Sequence, residues 1–342
     1  MTNSQSLSRY HLRSGCLART ALATVLTFLQ GIFPVGSQAQ GGSLPYPNRP
    51  IRMVVGFSAG GGPDVAARLM APKLTALLGQ QVIVDNRPGA GGSIGEAIVA
   101  GAPADGYTLL MCASSLSINP SLYPKLPYDP VRDLAPISLM GVSAQALIVL
   151  SGYTVKTVGE LIALAKARPG ELTFASSGNG SGSHLAGELF KFMTNTNIVH
   201  VPYKGGGQGV TAVLSGETVM MFAPIAAAIP HVRSGRLRAL AVTTDRRSMA
   251  ATDIPTMAEA GVPGYAAFPW YGLFAPAGTP RAVIDAVQRA SAEIVAQPEM
   301  RERMLTLGID PVGNGPVEFA GFIRVEMDKW SQVIRRSGLR LH

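Results

Sequence analysis

The stretch Ile51–Arg68, IRMVVGFSAGGGPDVAAR, decides the fold. Ile51 to Phe57 is an apolar run with Val54 and Val55 at its centre, the pattern of a buried strand. Ser58, Ala59, Gly60, Gly61 and Gly62 follow, then Pro63 and Asp64, and Val65, Ala66 and Leu69 fall at helical spacing. Proline suits the first helical position, because its missing N–H would be unpaired there anyway. Strand, glycine loop and helix N-terminus together form an anion-binding geometry. Glycine lets the backbone approach a ligand, and the N–H groups of the first turn point at it. The helix dipole favours a negative group there by about 0.3–1 kcal/mol. A plain βα turn that binds nothing has the same residues, so this loop alone leaves both readings open. Asp64 reads as a cap for free N–H groups.

Outward from that stretch the pattern repeats. Gln81 to Asn86 is a second strand, Arg87 to Gly92 a second glycine loop, and Ser93 is placed to cap the helix after it. Pro72 is expected to kink or divide the first helix. Tyr107 to Ala113 is a third strand, and Ser114 stands just past its C-terminal end, where open α/β sheets bind ligands. Asn119 to Pro136 reads as a long connection, and Ile137 to Leu150 as an extended segment that leaves one domain and enters another. The opening design then returns. A short strand, Leu172 to Ala175, runs into the small-residue loop Ser176 to Ser183, and His184 to Met193 has helical spacing. Further on, Ile198 to Tyr203 is a strand and Lys204 to Gly207 another glycine loop. Three helices close the chain, Arg281 to Ala296, Glu299 to Leu307 and Val317 to Arg336. Strands alternating with helices predict mostly parallel sheets. Two linked β-α sets predict a bilobal α/β protein with a cleft.

Composition narrows the class. The chain has 342 residues, 47% of them hydrophobic and 15% charged, enough for two domains with packed cores. The net charge of +8 comes from scattered Lys and Arg without a basic stripe, zinc spacing or aromatic RNA motif, so nucleic acid is not expected as a partner. Arg9, Arg13 and Arg19 precede the apolar segment Ala21 to Phe33, and Ser37-Gln38-Ala39 is a small-x-small site. Residues 1–39 therefore read as a cleaved signal peptide, which puts the mature protein outside the cytoplasm. Cys112 alone then remains, in an apolar run, as a core residue without a disulfide partner.

The usual catalytic devices are missing. There is no Gly-x-Ser-x-Gly elbow, and Gly60 to Arg68 lacks the Lys-Ser/Thr pair of a nucleotide phosphate loop. His184, His200, His231 and His342 show no metal spacing, and no cofactor is expected. Ser183 and His184 adjoin, and a cleft hydrolase built on them is the alternative reading, but no acid is placed to orient the histidine. Glycine loops with few acid/base groups fit binding better than catalysis, so an enzyme is not expected. Lys204 and Arg87 adjoin glycine loops and could each pair with an anion or stay solvated. Tyr203 and Phe57 read as cleft walls, Phe57 equally as a core residue.

The chain resembles the extracytoplasmic solute receptors of tripartite tricarboxylate transporters, also called the Bug family. The resemblance covers nearly the whole mature chain and is carried by YPNRPIRMVVGFSAGGGPDVAAR, VDNRPGAGGSIG, DGYTLL, PSLYPKLPYDPVRDLAPI, ASSGNGSGSHLAGELF, VPYKGGG and WYGLFAPAGTP. It implies a type II periplasmic binding protein: two α/β lobes around a ligand cleft with two interdomain crossings. Lobe 1 is expected over 45–143 and 267–342 and lobe 2 over 144–266. The resemblance implies a monomeric periplasmic receptor that captures a small carboxylate, dicarboxylate or amino acid. The receptor would deliver its ligand to a membrane transporter or, as an alternative, serve a sensor. Carried over by position, Phe57, Ser58, Ala59, Gly60 and Gly61 face the ligand. So does the segment Ser176 to His184, with Ser176, Gly178, Ser181, Ser183 and His184, and Tyr203 and Lys204 lie nearby. The chain departs from the family at Gly56 and Ala59, where proline is usual or frequent, and a more mobile first loop is expected.

Overall fold

The apolar runs become the strands of two sheets. The computed structural model describes residues 46–123 and 125–337, which fall within one compact unit, Leu44–His342. The expected signal peptide lies outside the described residues. The chain runs β1 (Ile51–Val55), α1 (Gly62–Leu78), β2 (Val82–Asn86), α2 (Ser93–Ala100), β3 (Thr108–Ala113), α3 (Ser115–Leu122) and β4 (Leu134–Ser143). It continues as β5 (Gln145–Leu150), α4 (Val158–Ala167), β6 (Thr173–Ser176), α5 (Gly182–Thr194), β7 (Val199–Pro202), α6 (Gly206–Leu214), β8 (Met220–Pro224), α7 (Ile225–Arg233) and β9 (Leu237–Val242). It closes with β10 (Trp270–Pro276), α8 (Arg281–Ala296), α9 (Pro298–Thr306), β11 (Ile309–Pro311) and α10 (Pro316–Ser337).

The first sheet has the order β11-β4-β10-β3-β1-β2 and the second β7-β6-β8-β5-β9. β1 lies parallel to β2 and β3, and β6 parallel to β7 and β8. The remaining pairings are antiparallel: β10 with β3 and β4, β11 with β4, and β5 with β8 and β9. The sheets are thus mixed, against the expectation of mostly parallel ones. The cause is the crossing. β4 hands over to β5 through Ala144 alone, and β10 returns from the second sheet to lie between β4 and β3. A strand that re-enters from the other sheet need not follow the direction set by a βαβ step.

Each sheet is covered on both faces, as strands with near-continuous apolar runs require. Ile51, Met53 and Val55 pack with Met70 and Leu74 of α1 and Val287 and Ile294 of α8. The opposite face carries Val54, Leu110, Trp270, Phe274 and the buried Cys112, packed on Phe319 and Ile323 of α10. In the second sheet, Leu147, Phe174 and Phe222 meet Leu185, Leu189 and Phe190 of α5. Ile148 and Met221 meet Val210 and Val213 of α6 on the other face. The core beside α5 also takes Ile118 and Leu122 of α3 and Trp330, Val333 and Ile334 of α10. α10 therefore has its first turns in the core of one sheet and its last turns in that of the other.

Other local expectations change. α1 runs through Pro72, which sits on the exposed side of the helix, so the lost backbone bond and the ring fall outside the packed face. Part of the stretch read as a connection from Asn119 belongs to α3, which contains Pro120 and is held by tertiary packing. Ser93 is the first residue of α2, preceded by Gly92 in left-handed conformation, and its side chain does not cap the helix.

Candidate functional site

Two helix N-termini form the candidate site. At the first, Ser58, Ala59 and Gly60 are exposed at the tip of the β1–α1 loop, and Gly60 has a φ of +82°, which its lack of a Cβ permits. Asp64, buried in the first turn of α1, fixes this loop. Its Oδ2 accepts from the Gly60 N–H at 2.8 Å, and its carboxylate also accepts from Arg68 Nε at 2.9 Å and Asn86 Nδ2 at 2.8 Å. Burial pushes this carboxyl up, but the bonds from Arg68, Gly60 and Asn86 outweigh it and hold the group below the usual carboxylate range. Asp64 is thus engaged within the loop. The Gly61 N–H is used by Ser58 O at 3.1 Å. Among the described residues, no acceptor in the chain takes the amides of Ser58, Ala59, Gly62 or Asp64.

The second N-terminus has the same design with a different scaffold. The β6–α5 loop is tied by its own hydroxyls. Ser183 Oγ accepts from Ser177 N at 2.8 Å, Ser176 Oγ accepts from Gly178 N at 3.1 Å, and Ser181 caps α5 through its Oγ and His184 N at 3.3 Å. Gly180 N donates to His184 Nδ1 at 3.0 Å. In this loop the amides of Asn179, Gly182 and Ser183 have no acceptor among the described residues. Ser183 and His184, the pair of the hydrolase alternative, each have other partners. Ser183 is bonded to Ser177 and Ser181, and His184 Nδ1 is used by a backbone amide, so the two side chains do not form a nucleophile–base pair.

Both N-termini rest on the crossing. A Cβ on Gly62 would stand 2.3 Å from Tyr271 Oη, and one on Gly182 would stand 2.8 Å from Pro269 Cγ and 3.3 Å from Gln145 Nε2. Pro269 and Tyr271 belong to the same returning segment, and Ser143 at the end of β4 donates its N–H to Pro269 O at 2.7 Å. The Gly62 and Gly182 ends therefore rest on residues two apart in one returning segment, Tyr271 and Pro269, with Gln145 beside Gly182.

The other expected residues divide. Phe57 is half-buried against the core of the first sheet, and its ring lies over Gly92. At Gly56 a Cβ would stand 2.5 Å from the Gly92 carbonyl oxygen, so glycine there allows α2 to approach the end of β1. Ser114 is the N-cap of α3 and its carbonyl accepts from the Ser117 N–H. Tyr203 packs on the α6 side of the second sheet, and Lys204 is exposed, its amide bonded to Gln208 Oε1 at 3.1 Å. Arg87 pairs with Asp85 at 3.1 Å.

Sequence reasoning missed His200. Its ring is stacked on that of His184, with centroids 3.7 Å apart and planes at 8°, and its Nε2 is 2.6 Å from Ser176 Oγ. Burial above all lowers both imidazoles to about 4, aided at His184 by Lys191 and at His200 by His184. No local motif marks this residue, because the contacts arise between β7 and α5. Among the described residues no group of three or more His, Cys, Asp or Glu could hold a metal ion, and no helix is long and apolar enough to cross a membrane.

Comparison with known proteins agrees with this geometry. Residues 66–339 match the family described as tripartite tricarboxylate transporter family receptor. Protein BugT of Bordetella pertussis is 41% identical over 298 residues, 86% of this chain and 91% of that protein. The solved periplasmic binding protein BugD is 32% identical, with a TM-score of 0.70 over 86% of this chain and all of BugD. An R. palustris protein solved with adipate is 34% identical, with a TM-score of 0.72 over 86% of this chain and all of that one. The fold is accordingly that of a periplasmic binding protein with two α/β lobes, and the chain belongs to the tripartite tricarboxylate transporter receptor family.

Proposed function

We propose that this chain is a periplasmic receptor that captures a small dicarboxylate between its two lobes and delivers it to a tripartite tricarboxylate-type membrane transporter. The observation that carries the reading is the pair of helix N-termini, each with unengaged amides, both seated on the same crossing strands. Two positive helix ends facing one hinge suit a ligand with two negative ends, each amide cluster taking one carboxylate. The adipate found in the R. palustris relative is such a ligand. In this reading lobe 1 comprises 45–143 and 267–342, lobe 2 comprises 144–266, the signal peptide 1–39 is removed on export, and the monomer closes on its ligand by a hinge.

The test is calorimetric. A ligand that binds only the native state stabilises it by about 2.7 kcal/mol at a hundred times its Kd. Adipate and shorter dicarboxylates are expected to raise the melting temperature, and adipamide is not. Equal stabilisation by acid and diamide would remove the anion from the reading. Uptake of the same acid by cells with and without the receptor then tests delivery.

A further inference from the structure

We propose that His200 is a positioning residue for the anion-binding loop, acting through Ser176 and through the ring of His184. The inference rests on the reading that the β6–α5 loop faces the ligand. That loop offers the amides of Asn179, Gly182 and Ser183, and their direction depends on how the intervening residues are tied down. Two of the ties end on the histidine pair. Gly178 N donates to Ser176 Oγ, which is bonded to His200 Nε2, and Gly180 N donates to His184 Nδ1.

The second tie requires a neutral ring. An imidazole that accepts at Nδ1 keeps its proton on Nε2, and a second proton at Nδ1 would turn the acceptor into a donor facing the Gly180 N–H. His200 covers one face of the His184 ring, and Phe174 borders the pair from the side, 4.9 Å from His200 and 6.3 Å from His184. This cover excludes water from His184 and disfavours its charged form. Protonation of both rings would place like charges within 4 Å of each other, a further barrier. The charged groups around the pair sit mainly on α5. Glu188 Oε1 is 3.8 Å from His184 Nε2 but is itself paired with Lys191 at 2.8 Å, which limits its power to draw a proton onto the ring. β6 and β8 contribute no titratable side chain to the packing, and α10 brings Asp328, Lys329 and Arg336 to the Leu189–Met193 end of α5, beyond the rings.

Amide exchange and imidazole titration by NMR decide the matter without any ligand. In the parent protein, the Gly180 amide is expected to be protected at pH 6 and to lose protection as His184 titrates near pH 4. In His200→Ala, where the cover is gone, His184 is expected to titrate closer to the ordinary 6.5 and Gly180 exchange at pH 6 to rise about tenfold. His200→Phe keeps a ring on His184 and is expected to restore most of the Gly180 protection, leaving only the Gly178 tie loosened. The proposal is overturned if His184 titrates near 6.5 in the parent, or if Gly180 exchange in a folded His200→Ala protein matches the parent. Adipate affinity measured on the same variants at pH 7 separates the two claims. If no variant, nor the parent, binds adipate while the exchange pattern holds, the ligand reading falls and the positioning role stands.

Discussion

Glu96 shows how far one side chain can set the behaviour of this fold. It lies fully buried in the first turn of α2, where Tyr128 donates its hydroxyl, and Asn119 Nδ2 and Ser115 Oγ each stand at 3.4 Å. Burial raises its carboxyl from 4.5 to about 7 despite those bonds. In the unfolded chain the group ionises near 4.5, so between that pH and 7 the native state holds a proton that the unfolded state has released. Stability therefore falls as pH rises through this window and levels off above it, by roughly 3 kcal/mol in all. Glu96→Gln cannot ionise and keeps the neutral form's shape. It is expected to match the parent within about 1 kcal/mol at pH 5 and to exceed it by about 2–3 kcal/mol at pH 8. Urea titrations at the two pH values check this, and parallel pH dependence in both proteins would refute it. Asn119 also donates to Gly91 O at 3.2 Å, so this cluster supports the second glycine loop. Neither the cluster nor the His184–His200 stack is legible in the sequence, because each joins residues from different elements whose spacing carries no pattern.

At the scale of elements, the helix N-termini were legible and their seats were not. Gly60 to Pro63 and Ser176 to His184 announce a loop entering a helix, and α1 and α5 start there. The partners Tyr271 and Pro269 come from a segment whose return into the first sheet no local pattern reveals. α3 was lost for a related reason, since Pro120 argues against a helix that tertiary packing nevertheless holds. The difference between loop tip and seat can be measured. At Gly60 an added Cβ meets nothing within 4 Å, so Gly60→Ala suffers only from its left-handed backbone, about 1 kcal/mol. Gly60→Asn is expected to lose less, because asparagine tolerates that conformation. Gly62→Ala instead drives a methyl into the Tyr271 hydroxyl and should cost about 1–3 kcal/mol. It should also weaken adipate binding more than Gly60→Ala does, because it displaces the helix end from the crossing. A Gly62→Ala protein as stable as Gly60→Ala, with unchanged affinity, would show that α1 does not need that seat.

The whole molecule is tied together by more than the two chain crossings. Asp310 on the edge strand β11 accepts from Met249 N at 2.9 Å and Ser248 Oγ at 3.2 Å, in the segment after β9. α10 contributes Phe319 and Ile323 to one core and Trp330, Val333 and Ile334 to the other. The two-lobed architecture followed from the repeated β-α sets in the sequence, whereas this shared helix did not, since an amphipathic pattern says that a face is buried but not against what. A helix common to both cores should make unfolding one event. Scanning calorimetry of the parent is expected to give a single transition. Trp330→Ala, which should cost about 3–5 kcal/mol, is expected to lower the transition of the second sheet and separate it from the first. Two resolved transitions in the parent, or one unsplit transition in a clearly destabilised variant, would contradict this.

Of the chain's two tryptophans, Trp270 opens the strand that returns from the second sheet and Trp330 lies near the end of α10. Trp270 begins the returning strand and meets Phe319 edge-on, with centroids at 5.6 Å, while Trp330 lies in the far core and donates its indole N–H to Glu326 Oε2 at 3.0 Å. Both indoles are buried, so each should emit at short wavelength in the resting protein. Any swing of one lobe against the other alters the surroundings of the first more than those of the second. For the closure proposed above, the protein thus carries its own optical gauge, Trp270 on β10, with an internal reference in Trp330, about three turns along α10 from the Phe319 that Trp270 meets, and needs no attached dye.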